Sequence, residues 1–155
     1  MTLRAVTLDD TDAVAVLDTD PRTNEHNPNG TPSRAESATA LAQYVRCWDE
    51  HGLGYWVAEI DRAVVGITGL RPMRWWDRDC LNLYYRFSPD VWGRGLAVEA
   101  ARAALAVAQE ARPGTPVAAR TRPTNAGAIR VAEAAGLRRR PDLDRDAMIS
   151  FVHGW

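Results

Sequence analysis

The chain reads as a mixed α/β domain with the element order β-α-α-β-β-β-α-β-α-β-β. Three observations predict this. Strand-like runs rich in β-branched and aromatic residues cluster in the middle, at 55–60, 63–70 and 81–87. Helix-period runs with apolar faces flank that cluster on both sides. Turn residues punctuate the junctions between them. With 155 residues, one domain spanning 1–155 can bury a core without disulfides or metal.

The elements follow in order. Residues 3–7 read as a short first strand. The acidic cluster Asp9, Asp10 and Asp12 supplies N-cap chemistry for a helix over 11–17. Residues 20–32 hold three prolines, three asparagines and a glycine, which is loop composition. Ser33 and Glu36 have capping-box spacing and open a second helix, whose apolar positions Ala38, Leu41, Ala42, Val45 and Trp48 recur with helical period. It stops near His51 and Gly52. A hairpin follows: strand 55–60, a turn at Asp61 and Arg62, and strand 63–70. Residues 72–79, with Trp75 and Trp76, read as a connection to the strand 81–87. Ser88, Pro89 and Asp90 end that strand, and a helix over 96–111 presents Ala97, Ala100, Ala101, Ala104, Val107 and Ala108. Residues 117–121 form another strand. Asn125 begins the last helix, and Gly136 stands at its C′ position. Strands near 137–140 and 147–153 close the chain.

Composition excludes several classes. Apolar residues make up 46% and charged residues 25%, so extended disorder is not expected. A formal net charge of −1 provides no global field for nucleic acid or an anionic membrane. All cationic side chains are Arg. Cys47 and Cys80 make neither a disulfide framework nor a zinc pattern, so no metal is expected. No apolar run is long enough to span a membrane, and the first residues lack a signal-peptide core. A cytoplasmic protein is the expectation.

The segment that carries chemistry joins the strand 81–87 to the helix 96–111. Its glycines, Gly93 and Gly95, stand immediately before the helix. The first amides of a helix lack internal partners, and the helix dipole adds partial positive charge there. Glycine lets the backbone come close to an anion. The combination can cradle a phosphate or pyrophosphate, and Arg94 could add a charge-assisted contact. A tight turn with two glycines is the plain alternative. There is no Gly-Lys-Ser/Thr for a nucleotide triphosphate. The loop also comes too late in the chain for a dinucleotide-binding fold.

Residues 89–100, reading Pro-Asp-Val-Trp-Gly-Arg-Gly-Leu-Ala-Val-Glu-Ala, resemble the acetyl-CoA motif of the GNAT superfamily. The Trp-Gly-x-Gly-x-Ala-x-Glu-Ala form within it is similar to the RimJ/RimL-like branch of N-terminal acetyltransferases. A second match follows: Asn125, Ala128, Arg130, Val131, Glu133, Gly136 and Leu137 resemble that branch's Asn-x-x-Ser-x-Arg-Val-Leu-Glu-Lys-x-Gly-Phe. The chain departs from it at Ala128, where a hydroxyl is missing, and at Leu137. Ala132 stands where many members carry a Tyr that protonates the leaving thiolate.

The resemblance implies a GNAT-like fold, acetyl-CoA as donor and a primary amine as acceptor, either a peptide N-terminus or a small molecule. It implies that the pantetheine arm lies between two splayed strands, beside Phe87 and Ser88 on one and 120–122 on the other. The Phe87 amide would hydrogen-bond the thioester carbonyl and stabilise the oxyanion. Trp92, Gly93, Arg94, Gly95, Leu96 and Ala97 would form the pyrophosphate loop. Asn125 would contact the arm, and Arg130 is a candidate for the phosphates. The family's frequent Glu base is here Asn82, which cannot accept a proton. Tyr85, Glu25, His26 and Glu59 are the other candidates on the acceptor side. A CoA-binding sensor without turnover is the alternative function.

Other features have simpler explanations. Trp75 and Trp76 are candidates for core packing, an acceptor wall or a homodimer contact. The run Arg138-Arg139-Arg140 reads as a solvated strand edge, and Cys47 as a small buried hydrophobe.

Overall fold

The computed structural model describes every residue from Met1 to Trp155. Seven strands form one sheet: β1 (Thr2–Ala5), β2 (Tyr55–Ile60), β3 (Ala63–Trp75), β4 (Arg78–Phe87), β5 (Val117–Thr121), β6 (Arg138–Arg139) and β7 (Ile149–His153). Their spatial order is β1-β2-β3-β4-β5-β7-β6. Every neighbouring pair is antiparallel except β4 and β5, which run parallel. The helices are α1 (Thr11–Thr19), α2 (Pro21–Asn24), α3 (Arg34–His51), α4 (Leu96–Ala111) and α5 (Ala126–Ala135). The mixed α/β class is as the sequence predicts.

The sheet buries both faces. On one, α4 and α5 cover Leu70, Leu81, Leu83, Val117 and Phe151. Ala101, Ala104 and Ala108 are buried where α4 meets the strands, and their small side chains let helix and sheet approach closely. On the other face, Val14 of α1 and Leu41 of α3 pack on Tyr55, Val57 and Ile67. The capping box of α3 forms as expected: Ser33 Oγ accepts from the Glu36 amide, and the Glu36 carboxylate accepts from the Ser33 amide at 2.7 Å. No helix is long and apolar enough to cross a membrane.

Two elements differ from the sequence expectation. The segment 72–79 is not a connection: β3 runs on to Trp75, β4 starts at Arg78, and the turn is Trp76-Asp77, both at positive φ. Pro72 does not interrupt this strand. It stands opposite Leu81, whose amide points away from β3 to the Pro116 carbonyl, so this pair does not need the missing Pro donor. On its other side β2 has already ended, its Tyr55 pairing with Gly69. The second difference is α2, a four-residue helix inside the expected loop 20–32. Asp20 caps it by accepting from the Arg22 amide at 2.9 Å, and Pro21 takes the first helical position, where its missing N–H is harmless.

One close approach fixes the end of β4. Gly66 pairs with Phe87, and the Phe87 ring lies across it so closely that a Cβ at 66 would stand 2.5 Å from a ring carbon. Gly66→Ala should therefore push the ring aside and destabilise the protein by about 1–3 kcal/mol, the usual cost of overpacking. Urea unfolding measures this, and an unchanged midpoint would contradict the packing described.

Candidate active site

The site begins where two strands part. β4 and β5 pair only over Leu81–Val117 and Asn82–Ala118. Beyond that point β5 continues with β7 through Thr121, while β4 continues with β3 through Phe87. The result is a wedge open towards Phe87. Backbone direction on β4 follows from two bonds. The Leu81 amide donates to Pro116 on the β5 side at 2.8 Å, and the Ser88 amide donates to Val65 on the β3 side at 2.8 Å. Amides alternate along a strand, so those of Tyr85 and Phe87 face the wedge. There they have no strand to pair with.

The glycine loop closes the wide end of the wedge. Pro89–Val91 forms a short 3-10 turn, capped by Ser88 Oγ accepting from the Asp90 amide at 3.3 Å. Trp92 Nε1 donates to the Phe87 carbonyl at 2.8 Å, which ties the loop to the end of β4. Gly93 and Gly95 adopt φ of 76° and 77°, a region that favours glycine, and both face open space. Gly95 is the N-cap of α4 and offers no side-chain acceptor. The first intrahelical bond of α4 runs from the Glu99 amide to Gly95, leaving the amides of Leu96, Ala97 and Val98 without helical partners. α3 and α5 both have side-chain caps, from Ser33 and Asn125. The bare N-terminus of α4 is thus a donor set aimed at the wedge.

A cleft of about 740 Å³ occupies the wedge and continues past it. On the α4/α5 side it is lined by the loop and by Asn125, Ala128 and Arg130. On the opposite side it is lined by Glu25, His26, Arg86, Arg120, Arg122 and Met148. His26 Nδ1 lies 3.1 Å from Thr124 Oγ1, so the segment after α2 reaches across to the β5–α5 connection. Arg86 pairs with Asp18 at 3.1 Å, both largely buried, and Asp18 also accepts from Ser37 at 2.7 Å. Arg22 reaches Asp90 at 3.5 Å and holds α2 beside the loop.

The sequence-predicted residues divide clearly. Phe87, Tyr85, Trp92, Gly93, Gly95, Leu96, Ala97, Asn125 and Arg130 line the cleft, and so do Glu25 and His26. Ser88 and Arg94 do not line it, although both border the loop. The Ser88 hydroxyl is engaged in the turn. Asn82 stands in the last paired row, where its Nδ2 donates to the Tyr55 hydroxyl at 3.1 Å. Tyr85 spends its hydrogen on the Ala128 carbonyl at 2.8 Å, and burial pushes its phenol well above the ordinary range. Asn125 Oδ1 accepts from the Ala128 amide at 3.0 Å as a helix cap, while its Nδ2 has no protein acceptor. Glu59 is removed as a candidate base: it pairs with Arg4 at 2.8 Å on β2, outside the cleft lining.

The remaining flagged residues are structural. Trp75 is buried against Cys80, Ala118, Leu143 and Val152, which is plain packing. Arg139, on the edge strand β6, pairs with Asp144, and Arg140, just past that strand, pairs with Asp142. Cys47 is buried and donates to the Leu53 carbonyl, and burial raises its pKa. Arg86 was not singled out in the sequence. A charge inside the strand run Tyr84-Tyr85-Arg86-Phe87 was the available signal, since a charge among core positions needs a partner.

Known proteins share this architecture. The sequence profile described as "Acetyltransferase (GNAT) domain" matches residues 1–138. Uncharacterized protein YkkB of Bacillus subtilis (strain 168) is 35% identical over 89 residues, which is 56% of this chain and 52% of that relative. The matched segment thus spans about half of that relative's length. An acetyltransferase from Agrobacterium tumefaciens str. C58 superimposes with a TM-score of 0.84 at 20% identity, over 98% of this chain and 89% of that one. RimL, a ribosomal L7/L12 alpha-N-protein acetyltransferase solved with coenzyme A, superimposes with a TM-score of 0.79 at 11% identity, over 97% of this chain and 92% of that one. With the family profile covering residues 1–138 of the 155, the chain belongs to the GNAT acetyltransferase family.

Proposed function

We propose that the protein transfers an acetyl group from acetyl-CoA to a primary amine, either a peptide N-terminal α-amine or the amine of a small molecule. One observation carries the proposal: the wedge between β4 and β5 leads directly to the uncapped N-terminus of α4. The residues present fit the donor. A linear arm with amide groups can pair with the free edge of β4 as a strand would. A pyrophosphate suits the amides of Leu96, Ala97 and Val98, and the open space at Gly93 and Gly95 lets it approach. Asn125 Nδ2 would meet the arm, with Arg94 and Arg130 at the charged end.

The chemistry requires little beyond position and polarisation. The Phe87 amide, held by β3 pairing and the Trp92 contact, would donate to the thioester oxygen as negative charge builds on it. The amine nitrogen attacks the carbonyl carbon, a C–N bond forms, the C–S bond breaks, and sulfur leaves with the electron pair. The amine's proton passes to water in the cleft, beside His26 and Glu25. An α-amine has an ordinary pKa of about 8 and is partly neutral at physiological pH, so weak assistance suffices. Tyr85 has a positioning role: its bond to Ala128 ties α5 to the sheet beside the cap residue Asn125.

Two measurements test this reading. Incubation with acetyl-CoA and a panel of amines and peptides, monitored by free thiol, should give release above the hydrolysis background. Saturable CoA binding with no release from any amine would instead favour a sensor without turnover. In titration calorimetry, Gly95→Val should weaken CoA binding by at least about tenfold, since a β-branched residue resists positive φ and narrows the cradle. Asn82→Ala should leave CoA binding unchanged, because Asn82 lies outside the cleft lining; a comparable loss in both would contradict the placement of the cradle.

A further inference from the structure

We propose that the acceptor carries a carboxylate a few bonds from its amine, and that Arg120 and Arg122 receive it. This rests on the acetyl-transfer reading above and names the acceptor's chemical class. The donor side of the wedge is fixed by the bare end of α4, so an acceptor enters from the opposite side, between the segment after α2 and the turn that precedes β7. The charged groups lining that side are Arg22, Glu25, Arg86, Arg120 and Arg122.

Their partners distinguish them. Arg86 is neutralised by Asp18, and Arg22 by Asp20 at 2.7 Å and Asp90. Arg120 is incompletely partnered. Its Nη2 donates to the Arg145 carbonyl at 2.8 Å and lies 3.5 Å from Asp146, whose side chain is 83% exposed. Its Nε is buried and has no acceptor. The guanidinium stacks over Trp75 at 4.9 Å, which holds it in place. Arg122 is half-buried at the end of β5 and makes no ion pair.

The Arg120 side chain keeps 24% of its surface exposed and Arg122 is unpaired, so a carboxylate can meet their accessible N–H groups in the planar geometry that guanidinium favours. Glu25 is the only carboxylate in the cleft lining, so positive charge dominates there. No group of three His, Cys, Asp or Glu side chains converges anywhere in the chain. A polycationic amine would find repulsion there and Glu25 as a single acidic counterpart. Amines with a nearby carboxylate occur as free amino acids and as peptides whose first residue is acidic; both share this chemistry.

Matched acceptors test the proposal: a free amino acid and its amide, and peptides beginning with an acidic residue or its amide counterpart. The readout is kcat/KM from thiol release. At least one carboxylate form should exceed its neutral partner by about tenfold or more, the scale of one hydrogen bond to a charged group. Whichever pair shows the preference identifies the source. Arg122→Gln and, independently, Arg120→Gln should shrink that ratio, mainly through KM for the acceptor. Turnover with equal use of charged and neutral acceptors, or preference for a polycation, overturns the inference alone. A ratio unmoved by both Arg122→Gln and Arg120→Gln also overturns it. Thiol release from no amine at all overturns acetyl transfer and this inference together.

Discussion

β4 and β5 share two paired rows and then separate, and the rest of the site depends on that separation. A central sheet position normally satisfies backbone groups on both sides. Here β4 is satisfied by β3 along its length, whereas its other edge is left open beyond the Asn82–Ala118 row. The cost is contained at the wide end, where the Trp92 indole donates to the Phe87 carbonyl. Local strain is low as well: the loop's positive φ values fall on glycine, and α5 is capped by Asn125. On the proposed function, the unpaired amides of Tyr85 and Phe87 would receive an extended chain that brings its own carbonyls.

Different elements build the two sides of the wedge, and the proposed function gives those sides different purposes. The donor side consists of backbone: helix amides, glycines and a strand edge. Such groups recognise phosphates and amides by shape and dipole, which suits a cofactor common to many enzymes. The opposite side consists of side chains from the segment after α2, β5 and the turn before β7. It is held by single contacts, such as His26 to Thr124 and Arg22 to Asp90, and its chemistry can change without disturbing the sheet.

This division also explains what the sequence could reveal. The order of strands and helices, the capping box of Ser33 and Glu36, and the alanine face of α4 follow local rules, and they appear in the structure as expected. The glycine loop was legible for the same reason, since strand, two glycines and helix are contiguous. Less legible were features set by pairing across the sheet. Whether the missing donor of Pro72 interrupts a strand depends on Leu81 and on where β2 ends, and neither is adjacent in sequence. The brevity of α2 hid it inside proline- and asparagine-rich composition. Glu59 qualified as a base by residue type, yet its partner Arg4 lies 55 residues away in sequence. The acceptor side combines residues from 22 to 148, and no local pattern joins them.

The central claim is that the free edge of β4 receives the donor's arm as a further strand would be received. Amide hydrogen exchange at Tyr85 and Phe87, with and without saturating CoA, tests it most directly. Both amides should exchange readily in the free protein and become markedly protected on CoA binding, with the amide of Leu81, already bonded to Pro116, unchanged. Saturated CoA with exchange at Tyr85 and Phe87 unaltered would contradict the account.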